Sequence, residues 1–204
     1  MQVESLDAER EGLLRSLASR SHLSDAKRAQ ESGAQHHVSG LLRSIQQTLH
    51  LDKSYDDDDF DPVKLLRYEI GFAWEDILGE YVFASAGKPE SLIPIGTLEQ
   101  DGILLTPDDF DADTWEVNEY KATWSSSRKP IADRWYWLSQ MKCYSHVLGS
   151  DSAVLKCLFL NGNWRPPVPD IQIYRLHWEE GECAQAWAML LRHKEWLQRK
   201  EQRQ

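Results

Sequence analysis

The chain has 204 residues, of which 41% are hydrophobic and 27% are charged, and its formal net charge is −10. These values predict a globular domain with an ordinary core. They argue against a generally basic surface for nucleic acid, although a local basic groove stays open. The sequence has no apolar run long enough to span a bilayer and no apolar secretory segment near its start, so we expect a cytoplasmic protein with no membrane span.

The first quarter of the chain is predicted to be helical. Leucines recur on one side of residues 5–20. A second helix is expected over residues 38–50, with Ser39 as its N-cap. We therefore expect residues 1–55 to form a helical segment that packs on a core made by residues 56–204.

The rest of the chain predicts a mixed α/β fold. A helix begins at Pro62 and ends near residue 83. The apolar run 102–106 predicts a buried strand, and residues 115–122 predict its partner across the turn-like, acidic segment 108–114. The remaining elements are a helix over 134–148, strands over 153–160 and 170–176, and an amphipathic helix over 184–199. This order predicts a central mixed β-sheet with helices on its faces.

Two short motifs in this region suggest a catalytic site. Thr106-Pro107-Asp108 is followed eleven residues after the aspartate by Glu119-Tyr120-Lys121. Because alternate residues of a strand share a face, the side chains of Glu119 and Lys121 point the same way, while Tyr120 points opposite and offers its carbonyl. Mg²⁺ and Mn²⁺ favour oxygen ligands, which Asp108 and Glu119 supply. By itself, this pattern also arises as a turn aspartate followed by an exposed strand pair.

A divalent cation at these carboxylates would polarise a phosphoryl oxygen and lower the pKa of a water molecule. Lys121 is then placed to orient or deprotonate the attacking water, or to neutralise charge that builds on the phosphate. A neighbouring cation would push the pKa of this lysine down, because like charge disfavours the protonated form.

Three further features support the same site. Glu75 lies on the predicted long helix, one turn after Gly71. Gln140 and Tyr144 are four residues apart, so they share a helix face where they can hold water or phosphate. The loop after the Glu-x-Lys triplet contains hydroxyls and cations suited to phosphate contacts, among them Ser125, Arg128 and Lys129.

The motif order resembles the PD-(D/E)XK nuclease superfamily, and within it the phage exonuclease branch that includes lambda exonuclease. The matching pattern is G-x-x-x-E, then T-P-D, E-Y-K and Q-x-x-x-Y, over about residues 71–144. This branch usually has a glycine after the aspartate, where the present chain has Asp109. The resemblance implies a restriction-endonuclease-like core with the order αβββαβ.

The resemblance also implies roles for individual residues. Asp108, Glu119 and the Tyr120 carbonyl would bind the metal, Lys121 would serve catalysis, Glu75 would complete the acidic cluster and Gln140 would organise the site. The implied activity is that of a Mg²⁺- or Mn²⁺-dependent DNA nuclease, acting at duplex ends in recombination or repair. It leaves open a ring-shaped homo-oligomer, a phage-type recombination partner protein and, for a phage-encoded chain, the host cytoplasm as its location.

Alternatives remain at two levels. Asp101 opens the strand eighteen residues before Glu119 and is a second candidate for the metal aspartate, depending on where the hairpin turns. At the level of function, a structure-specific endonuclease on the same fold and a non-catalytic DNA- or protein-binding module are the rival interpretations.

Overall fold

The computed structural model describes residues 36–49, 70, 71, 73, 74, 77, 91–165 and 168–203. The helix predicted over residues 5–20 lies outside this set, as does most of the helix predicted from Pro62, whose five described residues are all helical. The proposed division between residues 1–55 and 56–204 therefore stays a prediction.

The described elements follow the predicted order, with short strands added. The helices are α1 (Val38–Thr48), α2 (Trp135–Leu148) and α3 (Glu182–Glu201). The strands are β1 (His36–His37), β2 (Leu92–Ile93), β3 (Leu98–Gln100), β4 (Ile103–Leu105), β5 (Asp109–Asp111), β6 (Glu116–Thr123), β7 (Ser152–Phe159) and β8 (Asp170–His177). This arrangement confirms the mixed α/β class.

The larger sheet has the strand order β2-β5-β6-β7-β8. Strands β6 and β7 are parallel and are joined through α2, while the other neighbours are antiparallel. A parallel pair needs a long crossover connection, and α2 supplies it across one face of the sheet. The face of β6 that α2 covers is therefore the face on which a buried site can form.

The expected pairing of the 102–106 strand was wrong. Strand β4 pairs with β3 and β1 in a separate three-stranded sheet, and β6 pairs instead with β5 and β7. The β3–β4 hairpin turns at Asp101-Gly102, where both residues have positive φ. Asp-Gly at such a two-residue turn is the preferred chemistry for a hairpin, because both positions must be left-handed. The segment predicted to be only a turn, 108–114, contains β5.

The core lies between the helices and the larger sheet. Leu155, Phe159 and Met141 have no exposed surface, and α1 contributes Leu42 to the same cluster. Ser39 is not the N-cap of α1, as the sequence predicted, because it lies within the helix, and the N-cap is His37 without a side-chain bond. Among the described residues, no helix is both long and apolar enough to cross a bilayer.

This packing predicts that truncating a buried side chain of the larger sheet destabilises the protein more than truncating an exposed one. We expect Leu155→Ala to lower the free energy of unfolding by about 2–5 kcal/mol, because a fully buried side chain leaves a cavity. Ile173→Ala is the control, because its side chain on β8 is 64% exposed, and its cost should stay below about 1 kcal/mol. Urea denaturation of both variants provides the measurement, and equal costs would contradict this account of the core.

Candidate active site

The register of β5 against β6 determines which aspartate meets the Glu-x-Lys triplet. Asp109 pairs with Asn118 and Asp111 with Glu116. Continuing this antiparallel register by one residue places Asp108 opposite Glu119, so both side chains project from the face that α2 covers. Asp101 lies instead in the β3–β4 turn, where its carboxylate accepts a hydrogen bond from Trp187 Nε1 (2.9 Å). Of the two candidate aspartates, the fold brings Asp108 to the triplet.

Asp108 is fixed directly to the backbone of β6. Its Oδ2 accepts a hydrogen bond from the Tyr120 amide at 2.6 Å. The amide and carbonyl of one strand residue point towards the same edge, so the Tyr120 carbonyl faces the same side as Asp108. This carbonyl lies beyond the last β5–β6 pair, which is Asp109 with Asn118. Three oxygen-bearing groups therefore lie together beside the start of β5: the Asp108 and Glu119 carboxylates and the Tyr120 carbonyl.

Glu119 is the centre of a buried polar cluster. Its side chain is 4% exposed, and its Oε1 forms an ion pair with Lys121 Nζ. Gln140 Nε2, on α2, donates to the same Oε1 at 3.1 Å and to the Tyr144 hydroxyl at 2.7 Å. The Lys121 side chain is 22% exposed, so part of it reaches the surface beside the cluster.

Two buried oxygens in this cluster accept no hydrogen bond within the described part of the chain. They are Glu119 Oε2 and Gln140 Oε1. A buried acceptor without a donor is costly, and a bound cation is one way to satisfy it. Oxygen donors from two carboxylates, an amide and a peptide carbonyl suit a hard divalent cation such as Mg²⁺. The residues present therefore fit the metal that the sequence predicted.

The described residues include no group of three Asp, Glu, His or Cys side chains able to hold a metal. Asp108 and Glu119 supply two carboxylates. Glu75, the third acid that the sequence predicted, lies outside the described residues. Its contribution to the cluster stays a prediction.

The charges of the cluster shift the protonation of its members. Burial acts to lower the pKa of Lys121, but the carboxylates of Glu119 and Asp108 outweigh it and raise the pKa above its usual value. The sequence led us to expect a lowered pKa beside a bound cation; without that cation, Lys121 is held as an ammonium ion. Burial, followed by the charge of Glu119, also raises the pKa of Tyr144.

The reverse face of β6 carries a second network, which the sequence did not predict. Tyr120 donates its hydroxyl hydrogen to Asp109 Oδ2 at 2.6 Å. Lys156 Nζ lies 4.8 Å from the centre of the Tyr120 ring and donates to Asn118 Oδ1 at 2.8 Å. Burial and the bond to Asp109 raise the pKa of the Tyr120 phenol, which keeps it a donor. Tyr120 thus holds Asp108 through its amide and Asp109 through its side chain.

The predicted substrate-binding residues fall into two groups. Tyr144 is 4% exposed and its hydroxyl is bonded to Gln140, which favours a supporting role over the substrate contact that the sequence predicted. Ser125, Arg128 and Lys129 lie beyond the end of β6 and are exposed. Ser125 Oγ accepts a bond from Arg134 Nη1 at 2.8 Å, which anchors this loop.

Sequence reasoning missed Tyr136 and Arg134. Tyr136 precedes Gln140 and Tyr144 at intervals of four on α2, and its hydroxyl donates to the Ser39 carbonyl at 3.2 Å. Its phenol also contributes, after the carboxylates, to the raised pKa of Lys121. The repeated four-residue spacing was the signal that would have found it. Arg134 is 8% exposed, and its guanidinium carbon lies 4.4 Å and 5.0 Å from the ring centres of Trp137 and Phe159. No local sequence pattern indicates this burial.

Comparison with solved structures finds similar chains among exonucleases. A phage-related exonuclease from Haemophilus somnus 129PT is 12% identical, with a TM-score of 0.48, and the match covers 88% of this chain and 89% of that one. An alkaline exonuclease from Laribacter hongkongensis is 13% identical, with a TM-score of 0.48 and coverage of 82% and 93%. No protein-family model and no curated protein matches the sequence.

With identities of 12% and 13% and TM-scores of 0.48, any chemistry has to be argued from the polar cluster itself. The polar cluster joins Asp108, Glu119 and Lys121 on one sheet face, with Gln140 above them on α2. An acidic pair, an ammonium group and unpaired buried oxygens are the parts needed to bind a cation and a phosphodiester together.

The hydrogen bonds on the reverse face of β6 lead to a prediction about stability. We expect Tyr120→Phe to lower the free energy of unfolding by about 1–3 kcal/mol, because the buried Asp109 carboxylate loses a donor. Tyr174→Phe is the matched control, since its hydroxyl donates to the neutral Gln172 amide on the edge strand β8. Its cost should stay below about 1 kcal/mol. If chemical denaturation gave the same loss of stability for both variants, the hydroxyl of Tyr120 would not hold Asp109 as described here.

Proposed function

We propose that this protein is a metal-dependent DNA nuclease that hydrolyses phosphodiester bonds. The observation that carries this proposal is the convergence of Asp108, Glu119 and Lys121 on one face of the sheet, around the unpaired Glu119 Oε2. Buried polar atoms are normally hydrogen-bonded, whereas Glu119 Oε2 has no hydrogen-bond partner within the described residues.

The proposed metal is Mg²⁺ or Mn²⁺, held by Asp108, Glu119 and the Tyr120 carbonyl. A bound divalent cation would supply Lewis-acid activation of the scissile phosphate and of water. Lys121, which pairs with Glu119, would donate hydrogen bonds to a phosphate oxygen and neutralise charge that develops during displacement. Gln140 fixes Glu119 through the bond to Oε1, which would leave Oε2 available to the cation.

We further propose that the enzyme acts as an exonuclease on linear DNA ends in recombination or repair. The order of the T-P-D, E-Y-K and Q-x-x-x-Y motifs, which resembles the phage exonuclease branch, supports this mode. Arg128 and Lys129, exposed beyond β6, are suited to phosphate contacts with the strand that enters the site. An endonuclease on the same fold differs in one measurable respect, because it does not need an end.

Incubation of the purified protein with linear duplex and with covalently closed circular duplex tests both the metal-dependent cleavage and the exonuclease mode. With Mg²⁺ we expect loss of the linear DNA, no change in the circle, and no cleavage of either in EDTA. Cleavage of the circle at a comparable rate would replace the exonuclease mode by the endonuclease. Absence of any metal-stimulated cleavage would favour the non-catalytic module.

Substitution of the lysine tests the chemistry. We expect Lys121→Ala to reduce metal-dependent degradation of linear duplex by at least about a hundredfold, because a preorganised charge at the transition state is lost. Lys200→Ala, at the last turn of α3, is the control and should retain the activity of the original protein. Circular dichroism should show an unchanged fold in both. Undiminished digestion by Lys121→Ala would refute the assigned role.

A further inference from the structure

Two loops meet beyond the paired ends of β6 and β7. The first covers residues 124–130 and the second residues 160–165; together we call them the loop pair. Ser127 N–H donates to the Gly162 carbonyl at 2.8 Å, and Asn161 Nδ2 donates to the Trp124 carbonyl at 3.1 Å. Arg134 adds bonds of 2.8 Å to Ser125 Oγ and to the Ser126 carbonyl. These bonds hold the loop pair as one preformed surface.

The loop pair is a basic region on an acidic protein. The chain has a formal net charge of −10, yet neither loop contains an Asp or Glu. The loops carry three cations, Arg128, Lys129 and Arg165, and all three are exposed. The first loop begins three residues after Lys121, which along a strand is about 10 Å. A local positive surface next to the candidate site is the charge complement of a nucleic acid backbone.

Trp164 presents an unusually open aromatic surface within the loop pair. At 66% exposed it is the most exposed large hydrophobic residue of the described chain, and its φ of 68° is rarely adopted by a side-chain-bearing residue. Within the described part of the chain, no ring contact or side-chain hydrogen bond engages its indole. Its exposure therefore has no explanation in the packing of the described fold.

A second exposed tryptophan provides the contrast. Trp115 is 56% exposed and also has a positive φ, but its ring packs edge-on against Phe110 at 5.0 Å and its Nε1 donates to the Gly149 carbonyl. It precedes β6, at the opposite end of the strand from the loop pair. Trp115 is thus exposed but anchored, whereas Trp164 has no such anchor among the described residues.

We propose that the loop pair is a binding site for DNA ends, in which Trp164 stacks on an unstacked base and Arg128 and Arg165 contact the adjoining phosphates. This inference rests on the proposed nuclease function and names the form of DNA that the site takes. Stacking on an exposed indole requires a free base face, which a single strand or a terminal base pair offers and a closed duplex does not. Alternating aromatic and cationic groups suit that recognition without sequence preference.

Fluorescence anisotropy in EDTA tests the proposal without any need for catalysis. The probes are dye-labelled oligo(dT), a linear blunt duplex and a covalently closed circular duplex. We expect Trp164→Ala to weaken oligo(dT) binding on the order of tenfold and to leave binding of the closed circle unchanged. Trp164→Phe should restore most of the affinity, since it keeps a ring. Trp115→Ala, the matched control, should bind all three probes as the original protein does.

A second measurement uses the unchanged protein and is independent of how variants fold. Oligonucleotides that contain 5-bromodeoxyuridine should, on irradiation, form an adduct on the peptide that contains Trp164. Three results would overturn the proposal. Trp164→Ala could bind oligo(dT) with unaltered affinity, or it could lose affinity equally for all three probes. The third is that adducts form only on other peptides. Because binding is measured in EDTA, failure of the nuclease assay with intact end binding would reject the catalytic function alone.

Discussion

The site depends on the antiparallel register of β5 against β6. This register places Asp108 opposite Glu119, and the bond from the Tyr120 amide to Asp108 fixes it at 2.6 Å. A slip of one residue would turn Asp108 to the reverse face, since side chains alternate along a strand. The reverse face resists such a slip, because the Tyr120 hydroxyl holds the next residue, Asp109. One tyrosine therefore positions two consecutive aspartates, one on each face of the sheet.

The polar cluster is maintained at an energetic cost. Glu119 is nearly buried, and its Oε2 and the Gln140 Oε1 lack donors within the described residues. Unpaired buried acceptors destabilise a fold, and a protein retains them where binding supplies the missing partner. The surrounding core offsets this cost with fully buried residues such as Met141 and Leu155. Within the described residues these two acceptors have no partner, and the proposed cation would supply one.

Much of the fold could be predicted because its signals are local. The apolar runs of β7 and β8 and the periodicity of α2 and α3 gave the right elements within a few residues. The pairing of β4 and β6 was not predictable in the same way, since it depends on contacts between distant segments. The Asp101-Gly102 turn was a local signal that was overlooked. Residues of the candidate site were proposed from motif spacing, and the same spacing extends to Tyr136. The burial of Arg134 arises only through tertiary packing.

A crystal of the protein grown with Mn²⁺ and measured at a wavelength with strong manganese anomalous scattering gives the most direct test. The account predicts one strong anomalous peak within about 2.0–2.4 Å of oxygens from Asp108, Glu119 and the Tyr120 carbonyl. A peak at surface carboxylates alone, with Lys121 still paired to an otherwise unliganded Glu119, would contradict it.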